Sequence, residues 1–172
     1  MSNGNDLPPR DKHDVDTDDG RDETPDERAD RNWEEILQEF RVTQTGTQIV
    51  SGFLLTLAFQ QRFAQLHSHQ VTIYVVLVLL AATTTAVGLA PVSLHRTLFR
   101  RHEKRRVVAI GNSLLLINLL LVSLLTGGVA LFIVDVVLNM TAGAIAGAAM
   151  FVLLALLLVV LPRAATTHRR HD

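Results

Sequence analysis

Cysteine is absent from the 172 residues, which excludes disulfides, thiolate nucleophiles and Cys-ligated zinc or iron–sulfur sites. Acidic residues are almost absent from most of the chain. Fourteen of the 17 lie in the first 39 positions, and only Glu103, Asp135 and Asp172 lie beyond. The N-terminal region lacks large hydrophobes, with Leu7 and Val15 alone in residues 1–23. It therefore offers no basic segment followed by an apolar one, the pattern of a cleavable secretory signal. No Ser-His-Asp arrangement, phosphate-binding glycine loop or HExxH pattern occurs, so no catalytic, cofactor or metal residue is assigned. Aromatic residues make up 5% of the chain, and no aromatic stacking platform for nucleic acid is interleaved with the arginines.

What is present is a chain split in two. From position 42 onward Leu, Val, Ala, Ile, Thr and Gly dominate, so the formal net charge of −1 is a cancellation between an acidic tail and a basic apolar body. Residues 1–23 bury too little apolar surface to offset ordering entropy and are expected to be disordered. Thr24-Pro25-Asp26-Glu27 has the capping-box pattern, with proline at the first helical position. It predicts an amphipathic juxtamembrane helix over 24–41, with Trp33, Ile36, Leu37 and Phe40 on one stripe and Glu34, Glu35 and Glu39 facing away.

Four membrane spans are predicted in the region 42–162: about 42–63, 71–94, 107–133 and 141–161. The first is the least apolar. Gln44, Gln48 and Ser51 lie on one face of it, as polar residues do when they hydrogen-bond a neighbouring helix. In the second, Ala82, Ala86 and Ala90 form a small-residue ridge suited to close helix approach, and Pro91 is expected to kink the last turn. Residues 107–161 hold a single formal charge, Asp135. As one helix they would run about 80 Å, so the chain must reverse, most readily in the polar stretch 135–141. Gly127 and Gly128 are expected to bend the third span. Gly143 and Gly147 have the GxxxG spacing of a close helix contact, within the chain or in a dimer.

The connection 95–106 carries Arg96, Arg100, Arg101, Lys104, Arg105 and Arg106, and the basic tail 163–172 carries Arg163, Arg169 and Arg170. The short loops 64–70 and 135–140 hold no lysine or arginine. Basic segments stay in the cytoplasm, which places both termini and the basic connection inside a cell membrane. The six cations of the connection suit anionic lipid or an acidic partner. Asp135 is the one carboxylate of the apolar body and hence a possible ion site. Its expected position at the extracytoplasmic end of a span makes it partly hydrated. His67 and His69 lack a third ligand and are expected to be exposed loop residues. Asn112 and Asn118 fall about 120° apart and do not share a face.

The run Leu37-Gln38-Glu39-Phe40-Arg41-Val42-Thr43-Gln44-Thr45-Gly46-Thr47-Gln48, with Phe53-Leu54-Leu55-Thr56-Leu57, Gln61-Arg62-Phe63, Ala90-Pro91-Val92, His95-Arg96, Leu98-Phe99-Arg100 and Val134-Asp135-Val136-Val137, resembles an uncharacterised family of small actinobacterial four-span membrane proteins, domain of unknown function 6328. The resemblance covers residues 32–162. It implies fold and location, and it supplies no activity and no functional residues. A sodium/proton antiporter label borne by some members implies transport, yet antiport needs ionisable residues near the midplane.

The expectation is an all-α integral membrane four-helix bundle with both termini cytoplasmic. It has no enzymatic activity and no cofactor, and it binds or organises anionic lipid, a membrane-protein partner or a second copy of itself. The alternatives are a small cation or proton transporter subunit and, last, a membrane enzyme.

Overall fold

The computed structural model describes residues 24–98, 104–160 and 163. The expected disordered tail, 1–23, and the basic tail apart from Arg163 lie outside them. Among the described residues the chain is all-α. Helix α1 spans Pro25–Leu57, α2 Ser68–Leu98, α3 Lys104–Val137 and α4 Met140–Ala155, continued by a π-type turn at Leu156–Val160. A 3-10 turn, Gln61–Gln65, links α1 to α2.

The start of α1 is set by Thr24. Its Oγ1 accepts from the Glu27 backbone N–H at 3.3 Å, and the Glu27 carboxylate accepts from the Thr24 N–H at 2.9 Å. This reciprocal box satisfies two donors that a helix start otherwise leaves open. Nothing then stops the helix at position 41. The expected juxtamembrane helix and first span are one helix of 33 residues. The inner face of this helix is buried at Ala29, Trp33, Ile36, Phe40, Thr47 and Leu54 along its whole length. It ends at Leu57, earlier than the expected 63, because the chain turns there to reach α2.

Helix α3 packs against each of the other three. Matching residues fix the directions. A Cβ added at Gly111 would meet the Trp33 ring at 2.6 Å, Asn118 bonds Thr43, and Leu54 and Leu125 share one cluster, so α1 and α3 run parallel. Gly88 faces Gln44, and Tyr74 donates its hydroxyl to the Leu54 carbonyl at 2.9 Å, so α2 runs antiparallel. Helix α4 returns along α3 through Gly143 on Asp135, Gly147 on Leu131 and Phe151 on Gly127.

Several glycines in these helices lie at close helix contacts. Gly127 and Gly128 sit within the unbroken α3 because Phe151 and Leu77 occupy the space a Cβ would fill. The packed ridge of α2 is also one residue off the expected one. Ala81, Thr84, Gly88 and Pro91 are buried, whereas Ala82 and Ala86 are exposed. A shift of one residue rotates the contact face by about 100°. The α2 helix continues past Pro91 to Leu98.

Three helical stretches are long and apolar enough to cross a membrane: Ser68–Leu94, Arg106–Val137 and Met140–Val160. Exposure adds a pattern that average hydropathy does not carry. The exposed large hydrophobics run from Val42 to Phe59 on the first arm, Val75 to Val92 on α2, Leu116 to Leu138 on α3 with its turn, and Met140 to Val160 on the last arm. By the residue matches above these segments lie side by side. They form one apolar belt about 26 to 33 Å tall at 1.5 Å per residue.

Candidate functional site

Two polar pairs tie the helices together, each with one buried member, one near each rim of this belt. At the rim nearer the start of α1, Asn118 is 1% exposed and its Nδ2 donates to Thr43 Oγ1 at 2.9 Å. Thr43 in turn donates to the Phe40 carbonyl at 3.0 Å. The amide is thereby tied to the α1 backbone through a hydroxyl. At the opposite rim Asp135 is 4% exposed, and its Oδ2 lies 3.1 Å from Nε2 of His69. The two pairs are 17 residues apart on α3, about 26 Å. Between them the core is Leu54, Tyr74, Leu77, Ala81, Leu125 and Phe132.

The burial of Asp135 has a local cause. A Cβ at Gly143 would meet Asp135 Cβ at 2.7 Å and the Asp135 backbone N at 2.9 Å. With only hydrogen there, α4 closes over the carboxylate. A buried carboxylate needs a charged or hydrogen-bonding partner, and His69, in the first turn of α2, supplies it. Asp135 is thus not the partly hydrated residue expected, and His69 is more than an exposed loop residue. Its imidazole stays half in contact with the outside, stacked on His67 at 5.8 Å between ring centroids.

His69 and Asp135 open onto a cavity of about 400 Å³ that Arg62, Gln70 and Asn139 also line. The Gln70 side-chain oxygen accepts from the His67 backbone N–H at 3.1 Å. Asn139 caps α4 through its own oxygen, which accepts from the Ala142 N–H at 2.9 Å. Among the described residues no three His, Asp or Glu side chains gather into a metal-binding group.

The remaining sequence candidates separate. Gly143 and Gly147 lie against α3, within the chain. Gln44 lies 3.4 Å from the Cβ position of Gly88. Gln48 is exposed, so the polar side chain that α1 buries there is its neighbour Thr47, whose hydroxyl returns to the Thr43 carbonyl at 2.9 Å. Asn112 is exposed and Asn118 buried, on different faces as their spacing requires. Of the basic connection, Arg100 and Arg101 lie outside the described residues, as do the side chains of Arg96, Lys104 and Arg105. Arg106 is exposed on the first turn of α3. The pairs Asn118–Thr43 and His69–Asp135 escape sequence reasoning because 75 and 66 residues separate their members.

Three membrane-capable helices in an all-α bundle define the class of a membrane protein built of apolar helices. The chain belongs to the family of unknown function DUF6328, whose model matches residues 22–162. The match begins earlier than the resemblance drawn from the sequence, so it takes in the Thr24 helix start. Neither a curated protein nor a solved structure matches the chain.

Proposed function

We propose that this is a four-span, non-enzymatic protein of the cell membrane, with both termini cytoplasmic. It binds or organises anionic lipid or membrane partners at its cytoplasmic rim. The observation that carries the reading is the common level of the exposed apolar belt on all four helices. Its height fits a hydrocarbon core of about 30 Å. The second half of α1 belongs to the belt although its average hydropathy is low. Below the belt, residues 24–41 of α1 lie on the first turns of α3 and hold Glu34, Glu35 and Glu39 outward. The basic connection adjoins them, where each cation contributes on the order of 1 kcal/mol with an anionic leaflet. In this reading lipid or an acidic partner is met by the cations of the connection.

Reporter fusions after His67 and Asn139 are expected to read outside, and fusions after His102 and Asp172 inside. A cytoplasmic signal after His67 removes the first span. Replacing Arg100, Arg101, Lys104 and Arg105 with glutamine is expected to weaken binding of anionic-lipid nanodiscs at low salt. Unchanged binding leaves the connection as a topology signal alone.

The buried Asp135 with its His69 partner favours a second reading, a cation or proton transporter subunit. The pair stands at a rim, and Leu54, Leu77 and Leu125 fill the layer between it and the other polar pair, which supports the first reading over this one. Proton or sodium flux in proteoliposomes above protein-free vesicles would reverse that order.

A further inference from the structure

We propose that the cavity at the His69–Asp135 rim binds an anionic phosphate group, carried by a membrane phospholipid or by a soluble phosphate ester. The cavity presents donors. Its carboxylate, Asp135, is engaged by His69 and has a side chain only 2% exposed. Arg62, in the 3-10 turn, contributes a permanent positive charge to the lining. The side-chain oxygens of Gln70 and Asn139 are already committed to backbone N–H groups. Their –NH₂ groups are therefore what these amides have left to offer a ligand.

His69 completes the set. A carboxylate accepts and does not donate, so Nε2 carries the hydrogen that Asp135 receives, and Nδ1 is the ring nitrogen that remains. With Nε2–H given to the carboxylate, Nδ1 is left to face a ligand, where it accepts from a phosphate or glycerol hydroxyl. A cation as ligand would meet Arg62 and a carboxylate whose exposed approach is closed. An anion meets a guanidinium and two amide –NH₂ groups beside the His69 ring, and the guanidinium supplies charge-assisted hydrogen bonds to phosphate oxygens. The volume of about 400 Å³ falls in the range of small-ligand sites. Leu138 and Met140 add exposed apolar surface beside the polar lining. A headgroup with its chains along the belt would use both. This lipid source rests on the belt being the membrane-facing surface, and the phosphate chemistry does not.

The test uses the full chain in maltoside micelles, which contain no phosphate, with ¹⁵N-labelled histidine. The His69 ring signals are assigned by their loss in His69→Gln. Dihexanoyl phosphatidylglycerol, glycerol 3-phosphate and inorganic phosphate are titrated separately. A saturable shift of the His69 signals is expected, with affinity at least tenfold weaker in Arg62→Gln. Arg62 is exposed, so this variant folds. Binding confined to the short-chain lipid assigns the site to a phospholipid headgroup. Equal binding of glycerol 3-phosphate assigns it to soluble phosphate esters. No saturable shift in any titration overturns the proposal, and so does a shift that Arg62→Gln leaves undiminished. Because the readout is local to His69, lipid held at the basic connection does not register, and failure here leaves the role of that connection intact.

Discussion

The two halves of α1 bury the same kind of face and differ in what they turn outward. In residues 25–41 the inner stripe is Ala29, Trp33, Ile36 and Phe40, and the outer positions include Glu34, Glu35, Glu39 and Arg41. In residues 42–57 the inner positions are Thr47 and Leu54, and the outer ones include Val42, Ile49, Phe53 and Leu55. The inner face thus becomes, if anything, more polar where the outer one becomes apolar. A soluble helix does the reverse. On the four-span reading, what marks the second half is therefore the apolar part of its outer face, which the exposed Thr45, Gln48 and Thr56 dilute in any average taken along the segment.

The strongest way to break this comparison is to place charge on the apolar outer face. Ile49→Arg is expected to cost about 2.5–3.5 kcal/mol if that face meets lipid, read as lower insertion efficiency or a lower Tm in bicelles. Glu34→Arg, on the exposed outer face of the first half, should stay within about 0.5 kcal/mol, as exposed substitutions do in water. Equal small effects would mean that both halves face water.

Gly143→Leu is expected to destabilise the bundle by about 1–3 kcal/mol or more, because its Cβ meets backbone atoms of α3 that have no room to move, the Leu131 carbonyl at 2.8 Å among them. The oligomer distribution in detergent should not change beyond what unfolding causes. A clean loss of dimer with unchanged Tm would move the glycine face to an intermolecular contact. Asn118→Ala should cost about 0.6–2 kcal/mol in thermal unfolding, since it removes the one tie between α3 and the Thr43 hydroxyl. The smallest effect has the opposite sign. Gly46→Ala faces open space and is expected to stabilise α1 by up to about 1 kcal/mol through helix propensity. A loss of stability at Gly46 would reveal a neighbour packed on it.

Legibility in the sequence followed the range of the interaction. The Thr24–Glu27 cap, the Trp33–Phe40 stripe and the reversal beside Asn139 are local patterns, and helix starts and turns were readable from them. The GxxxG spacing announced a contact but not its partner, because Leu131 and Asp135 are placed by the α3–α4 turn. The ridge of α2 was misread by one residue because Ala81, Ala82, Thr84, Thr85, Ala86 and Gly88 offer two interleaved small faces. Only packing against Gln44 selects the Gly88 face. The paired histidine and carboxylate were each visible alone, and the burial that joins them was not. It depends on three elements, α2, α3 and α4, meeting at one rim.

That α1 crosses the membrane in its second half is the central claim, and the absence of native cysteine makes it directly measurable. Single cysteines at Glu35, Ile49 and Gln65 are labelled in intact cells with a membrane-impermeant maleimide, before and after permeabilisation. The account predicts that Gln65→Cys reacts in intact cells, Glu35→Cys only after permeabilisation, and Ile49→Cys under neither condition. Reaction of Gln65→Cys only after permeabilisation, together with free labelling of Ile49→Cys, would contradict it and leave α1 wholly on one side.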